Sequence, residues 1–310
     1  MSQSVSQLFE RTTSLPDPDA AERLAQLVGL DEKIVRMKNM LSVLIHPAGL
    51  SRWLAAHHPS AARLAECIHR RPPLIILSGD VGSGKTELAE TIGDAVARQE
   101  DIDITVLPLS LASRGQGRVG EMTQLVSAAF EHALAEATKC KAQSGNARGA
   151  VILLIDEADA LAQSRETDQM HHEDRAGVNA FIRGIDRLAN AKVPAAVIMC
   201  TNRLAAMDPA VKRRAAEIFV FERPDDVGRL AVLSRCLDGV GLSAKALSKV
   251  VELTGPQGER EYGFTYSDLV QRLVPAIVLD AYPSGPIREA RALDIARSIA
   301  PTPPFRELQS

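Results

Sequence analysis

The sequence predicts an α/β protein in which a five-stranded parallel sheet core is covered by helices and followed by a small all-helical domain. Three observations predict it. Five short apolar runs rich in β-branched residues fall within about the first 225 of 310 residues, helical periodicity separates most of them, and the β signal stops after Phe221. The runs are continuous rather than alternating in polarity, as expected of strands buried on both faces.

Residues 1–25 are polar and acidic and read as a short N-terminal segment, without the features of a signal or transit peptide. Asp31 to Leu44 reads as a helix leading into the core. The strands are Leu74 to Ser78, Ile104 to Leu109, Val151 to Ile155, Val197 to Cys200 and Ile218 to Phe221. Between the third and fourth, Val178, Phe181, Ile182, Ile185 and Leu188 recur at three- and four-residue steps and form one apolar helix face. Beyond the turn-like Glu222-Arg223-Pro224-Asp225-Asp226, helices are expected over Val227 to Leu237, Ala244 to Leu253, Ser267 to Tyr282 and Arg288 to Ile299. Pro301, Pro303 and Pro304 mark a frayed end. The expected division is 1–25, a large α/β part over 26–224, a helical part over 225–301, and a tail over 302–310.

The composition, 45% hydrophobic and 24% charged, supplies a real core and excludes a disordered tail protein. Lys and Arg total 36 against 39 Asp and Glu, for a net charge of -3 without a basic block. Direct binding to nucleic acid or to an anionic membrane is therefore not expected. No stretch approaches the roughly 20 apolar residues of a spanning helix, and a cytoplasmic location is expected. Cys67, Cys140, Cys200 and Cys236 lie far apart, without ligand spacing, and read as buried or free thiols.

Gly79-Asp80-Val81-Gly82-Ser83-Gly84-Lys85-Thr86 satisfies G-x-x-x-x-G-K-[ST] between an apolar strand and the helix Glu87 to Arg98. Such a loop wraps a phosphate chain with its N–H groups and with the positive end of the helix. Lys85 would reach the β- and γ-phosphates of ATP, and the Thr86 hydroxyl would bind Mg²⁺. The strand Val151 to Ile155 runs into Asp156-Glu157, which gives Asp156 a place on the metal through water and Glu157 the role of general base toward the attacking water. That glutamate argues for hydrolysis over nucleotide binding alone. After the fourth strand, Thr201-Asn202 puts an uncharged amide where the γ-phosphate and water would sit, so Asn202 is a candidate water-positioning residue. Asp208 to Arg214 carries Arg213 and Arg214 just before the fifth strand, and either suits a trans-acting arginine for the neighbouring subunit's transferred phosphoryl group.

These elements, in this order and with a helical region behind them, resemble an AAA+ P-loop ATPase over roughly residues 26–300. The resemblance implies a five-stranded parallel core, a small all-helical lid domain, nucleotide at the subunit interface and a homo-hexameric ring. It places Leu27-Val28-Gly29-Leu30, with Val28 and Gly29, near the adenine, and lets Arg213 or Arg214 complete the neighbour's site. Within that family, the stretches Arg175 to Asp186, Thr201-Asn202 and Val211 to Ile218 are similar to the pachytene-checkpoint-type remodellers, which unfold part of HORMA-domain proteins. So short a chain resembles the bacterial form found in antiphage CBASS operons. That form is a negative regulator, which dissociates a HORMA-domain protein from its cyclic-oligonucleotide synthase, a CD-NTase.

The resemblance also has departures. Only about 25 residues precede the core, so the N-terminal adaptor domain of the eukaryotic relatives is missing or much reduced. Arg118-Val119-Gly120-Glu121-Met122 resembles the family's pore loop with an arginine in the aromatic place, which makes Arg118 and Val119 the candidate substrate contacts. In Gly263 to Leu269, Ser267 stands where the second sensor arginine is expected; Arg272 lies one turn further on. Gln163 to Asp174, with His171 and His172, reads as a loop facing the ring's channel rather than a metal site. Two other readings compete with the remodeller: another AAA+ machine, such as a protease-linked unfoldase or a DNA-associated ATPase, and a nucleotide-gated scaffold.

Overall fold

The structure, a computed structural model, describes residues 8–9, 11–110, 121–141, 148–159, 172–258 and 260–304. Its strands are β1 (Thr13–Leu15), β2 (Leu74–Gly79), β3 (Asp103–Ser110), β4 (Gly149–Asp156), β5 (Ala195–Thr201) and β6 (Ala215–Phe221). The helices that precede or separate them are α1 (Pro18–Ala25), α2 (Asp31–Ile45), α3 (Pro47–His57), α4 (Ala62–His69), α5 (Lys85–Glu100), α6 (Glu121–Cys140), α7 (His172–Ala191) and α8 (Pro209–Lys212). After β6 come α9 (Asp226–Cys236), α10 (Ala244–Thr254), a turn of π-helix over Asp268–Leu273, α11 (Val274–Ala281) and α12 (Glu289–Ser298).

By contacts the chain forms two compact units. The α/β unit holds the described residues of Met1–Gln26, Glu32–Ser78 and Thr86–Val220. The helical unit holds those of Leu27–Asp31, Gly79–Lys85 and Phe221–Ser310.

In the α/β unit, the described strands form one sheet in the order β1-β3-β4-β5-β2-β6. The pairs β3–β4, β4–β5 and β2–β5 are parallel, and every residue of β5 is buried. In β2, β4 and β5 the polar side chains Ser78, Asp156 and Thr201 stand only at the carboxyl ends, which is why these strands read as unbroken apolar runs. Their registers align the carboxyl ends: Ser110 faces Asp156, Ile155 faces Met199, and Ser78 faces Thr201. On one face α6 and α7 pack together through Phe130 and Phe181, whose rings meet edge-on at 5.6 Å. The predicted stripe on α7 lies where expected, with Val178, Phe181, Ile185 and Leu188 buried and Ile182 packed against the same core.

Three features differ from the sequence expectation. A sixth strand, β1, pairs antiparallel with the edge strand β3, Leu15 facing Ile104. Three residues ending at a proline carry no detectable alternation, so only Leu15, which is buried, marks it. Helices α3 and α4 occupy a stretch without an assigned element; α3 buries only Leu54, too little to print an apolar stripe. The helix expected from Ser267 to Tyr282 is present, but its stretch Asp268–Leu273 is wound as a π turn leading into α11. Pro275 has no N–H for the carbonyl of Gln271, so α-helical bonding cannot run through.

The helical unit has its own core of Val232, Leu233, Val250, Phe264, Leu269, Leu273 and Ile277, against which Val28 also packs. At its centre the carboxylate of Asp268 is 1% exposed and accepts from the Thr265 N–H, the Thr302 N–H and hydroxyl, and Arg272. Residues 301 and 302 are thus held, not frayed: Pro301 is buried and Thr302 is bonded to a carboxylate 34 positions earlier. Burial pushes the Asp268 carboxyl up, but the donors from Thr265, Thr302 and Arg272 outweigh it and hold it below the ordinary carboxylate value.

Two outcomes follow for stability. A Cβ on Gly184 would fall inside contact distance of the Phe130 ring atoms nearest the backbone. That ring is wedged against Phe181, so Gly184→Ala should lower unfolding free energy by about 1–3 kcal/mol in a denaturant titration. The folded Asp268 has a lower pKa than the unfolded one, so its contribution is full above the unfolded value of about 3.9 and is lost as pH falls through the folded value. The stability gap between wild type and Asp268→Asn should accordingly be constant near neutrality and narrow at acid pH.

Candidate functional site

The phosphate-loop residues Gly79 to Lys85 form a tight turn within the helical unit. Gly82 has φ +74° and its carbonyl accepts the Ser267 N–H at 3.1 Å; a Cβ there would lie 2.7 Å from that of Ser267. A Cβ on Gly79, φ +153°, would run into the Phe221 carbonyl. Neither position accepts a side chain. Lys85 is buried, and its ammonium donates to the carbonyls of Gly79 at 2.8 Å and Asp80 at 2.7 Å. Ser83 is buried too, its hydroxyl donating to the Asp80 carbonyl at 2.8 Å, while Val81 is exposed. The Asp80 carboxylate accepts from Arg223 Nε at 2.8 Å. Leu27 and Leu30 flank Gly84, and Gly29, φ +73°, leaves room for the Tyr266 hydroxyl, so the segment that holds Val28 and Gly29 lies beside this loop.

In the α/β unit, Thr86 is exposed in the first turn of α5. Asp156 ends β4, and its Oδ1 accepts the N–H of Glu157 at 2.8 Å. Glu157 is exposed with φ +50°, a left-handed conformation that costs a non-glycine residue about 1 kcal/mol. It turns the chain off the strand end and leaves the carboxylate in solvent, a strain typical of functional positions. Beside it on β5, the Asn202 N–H donates to Asp159 Oδ1 at 2.9 Å, its side-chain amide lies 3.4 Å from Oδ2, and the Thr201 hydroxyl donates to Oδ1 at 2.6 Å. One carboxylate therefore fixes the amide that the sequence assigns to water positioning.

In the helical unit, a loop of glycines closed over a lysine ammonium fits a phosphate chain; in the α/β unit, the Thr86 hydroxyl and the Asp156 carboxylate are oxygen ligands of the kind Mg²⁺ takes. Among the described residues no cluster of three His, Cys, Asp or Glu could hold a metal alone. None of the described helices is long and apolar enough to cross a membrane.

Residues 75–223 match the family described as ATPase family associated with various cellular activities (AAA). The chain is also 60% identical to CD-NTase-associated protein 6 of Escherichia coli strain MS 115-1 over 306 residues, 99% of this chain and 98% of that protein. The chain belongs to the AAA ATPase family. Two solved structures resemble it over nearly their whole length. One is a chain of the E. coli MS115-1 HORMA:CdnC:Trip13 complex, with TM-score 0.92 at 59% identity, covering 99% of this chain and 100% of that one. The other is Rhizobiales Trip13, with TM-score 0.75 at 55% identity, covering 96% and 100%. Membership supports nucleotide binding and ATPase activity.

The two candidate arginines of this AAA ATPase are unlike each other. Arg214 makes a two-pronged pair with Asp186 at 2.8 and 2.9 Å and donates to the Ala210 carbonyl. The Asp186 bond raises its pKa above the ordinary arginine value. Arg213 is exposed, and its guanidinium meets no partner among the described residues. Ser267 occupies the second-sensor place directly on the loop, whereas Arg272 is turned away onto Asp268 at 2.7 Å. Arg118 and Val119 lie outside the described residues, as do 163–171 of the histidine-bearing segment.

Sequence reasoning passed over Asp159 and Arg223. Asp159 was within reach, since it stands three residues after Asp156 in Asp156-Glu157-Ala158-Asp159. Arg223 pairs with a residue 143 positions away and left no local signal. The arginine pair gives a direct check by denaturant unfolding. Arg214→Ala should destabilise by up to about 1 kcal/mol, given its half-exposed partner, whereas Arg213→Ala should stay within about 0.5 kcal/mol of wild type.

Proposed function

We propose that this chain is an ATP-hydrolysing, ring-forming remodeller that opens or disassembles a HORMA-domain protein complex, and so acts as a negative regulator of a CBASS antiphage signalling system. The observation that carries this reading is the end-to-end likeness to a chain of the HORMA:CdnC:Trip13 complex, at TM-score 0.92 and 59% identity. Likeness to a protease-linked unfoldase is far weaker: a 26S proteasome regulatory subunit homolog of Methanocaldococcus jannaschii is 23% identical over 82% of this chain. The working form is a cytoplasmic homo-hexamer, its partner a HORMA-domain protein bound to a CD-NTase. The large part runs over 26–224 and the lid over 225–301.

In this reading the loop N–H groups and Lys85 bind the phosphates of ATP, the ammonium exchanging the Gly79 and Asp80 carbonyls for phosphate oxygens. Thr86 and Asp156 hold Mg²⁺, which when bound offsets charge on the β- and γ-phosphates. Val28 and Gly29 border the adenine. Glu157 takes a proton from the attacking water; the water oxygen bonds to the γ-phosphorus as the bond to the β–γ bridging oxygen breaks, giving ADP and phosphate. Asn202, held by Asp159, orients that water. Arg213 serves the neighbouring subunit because Arg214 is already engaged within its own chain. Arg118 and Val119 contact the threaded partner.

The test is steady-state turnover of wild type and Glu157→Gln with a HORMA-domain protein bound to its synthase. Glu157→Gln should bind ATP normally and lose about 100-fold or more in kcat, as expected on removing a general base. Wild type should be stimulated by the complex and release the synthase. Turnover indifferent to the complex would refute the proposed partner.

A further inference from the structure

Thr302, far along the chain, is linked to the phosphate loop by two routes, one through Arg223 and one through Asp268. The Thr302 carbonyl accepts from Arg223 Nη1 at 2.8 Å, which also donates to the Gly263 carbonyl at 2.7 Å while Nε holds the Asp80 carboxylate at 2.8 Å. The same guanidinium lies 4.9 Å from the centre of the Tyr262 ring. On its other side Thr302 donates its N–H to Asp268 Oδ2 at 3.0 Å and its hydroxyl to Oδ1 at 2.7 Å. Asp268 Oδ2 also accepts the Thr265 N–H, and the Thr265 hydroxyl accepts the Asp268 N–H, each at 3.0 Å. This closed turn presents the Ser267 N–H to the Gly82 carbonyl.

Both routes from Thr302 end on groups that matter to a bound polyphosphate. Asp80 carries a negative charge within a loop whose motif is that of an anion-binding loop, and pairing it with Arg223, itself only 12% exposed, offsets that charge. The Gly82 carbonyl and the Ser83 N–H share one planar peptide and point in opposite directions. Fixing the carbonyl on Ser267 therefore aims the Ser83 N–H. A staple that served stability alone could end anywhere in the helical core.

We propose that Thr302 is a positioning residue for the phosphates of the nucleotide, setting the Asp80 charge through Arg223 and the Ser83 N–H through the Thr265–Asp268 turn. This rests on the ATPase reading above and deepens it. Thr302→Val keeps the backbone bonds and removes the hydroxyl from Asp268, and Thr302→Ser restores it. In the full-length chain, Thr302→Val should raise KM and Kd for ATP about three- to tenfold, the effect of one network hydrogen bond. The kcat at saturating ATP should stay within about twofold, and Thr302→Ser should match wild type. Thr302→Ala replaces the valine variant if the latter does not fold. A lowered melting temperature with unchanged KM and Kd would overturn the inference and leave a merely structural staple. A wild type that bound no ATP would overturn the ATPase reading and this inference with it, an outcome distinct from equal binding by wild type and variant.

Discussion

Burial of β4 and β5 on both faces is the constraint from which the arrangement of the α/β unit follows. A strand flanked on both sides by parallel neighbours and covered by helices cannot carry a polar side chain along its length without an unpaired group in the core. Polar chemistry is therefore pushed to where the strands stop. Parallel pairing makes those stops coincide, with Ser78 beside Thr201 and Ile155 beside Met199. Asp156, Glu157 and Asn202 follow at one edge because that is the first place where a carboxylate or amide can meet solvent.

Emerging from the sheet does not orient a side chain, and the unit supplies separate anchors for that. Asp159 accepts the Thr201 hydroxyl and the Asn202 backbone N–H with one oxygen, while its other oxygen lies 3.4 Å from the Asn202 side-chain amide; hydrogen bonds to a charged acceptor are about twice as strong as neutral ones. Preorganised groups of this kind need no rearrangement when charge develops on the reacting phosphate. Asp186 does the same for Arg214 but to the opposite end. A guanidinium committed to a two-pronged pair is engaged within its own chain, whereas that of Arg213 meets no partner among the described residues.

What was legible in the sequence follows the same physics. Strands β2, β4 and β5 could be read because double burial writes an unbroken apolar run, and the phosphate loop because its glycines and lysine form a spaced motif. Strand β1 was illegible: three residues on the edge of β3 bury a single leucine. Helices α3 and α4 were missed because both are largely exposed: α3 buries only Leu54, and none of residues 63–69 of α4 is buried. Arg213 and Arg214 are adjacent and identical in type, so only the position of Asp186, 28 residues upstream of Arg214, separates them. Arg223 was taken for part of a turn, since the partner that gives it meaning is 143 positions away.

The phosphate loop shows how such long-range pairs bear on affinity. Lys85 already bonds the Gly79 and Asp80 carbonyls, so in the proposed reading a phosphate oxygen would replace satisfied acceptors and the net gain would be a difference between two bonded arrangements. That difference is favourable when the loop changes little apart from the lysine, because each backbone residue ordered on binding costs about 1–2 kcal/mol. Arg223 on Asp80 and Ser267 on Gly82 fix the loop at positions two residues apart, before any ligand contact is made. The ordering cost is then met in folding the helical unit, and the lysine's exchange of partners remains as the step that nucleotide binding must drive.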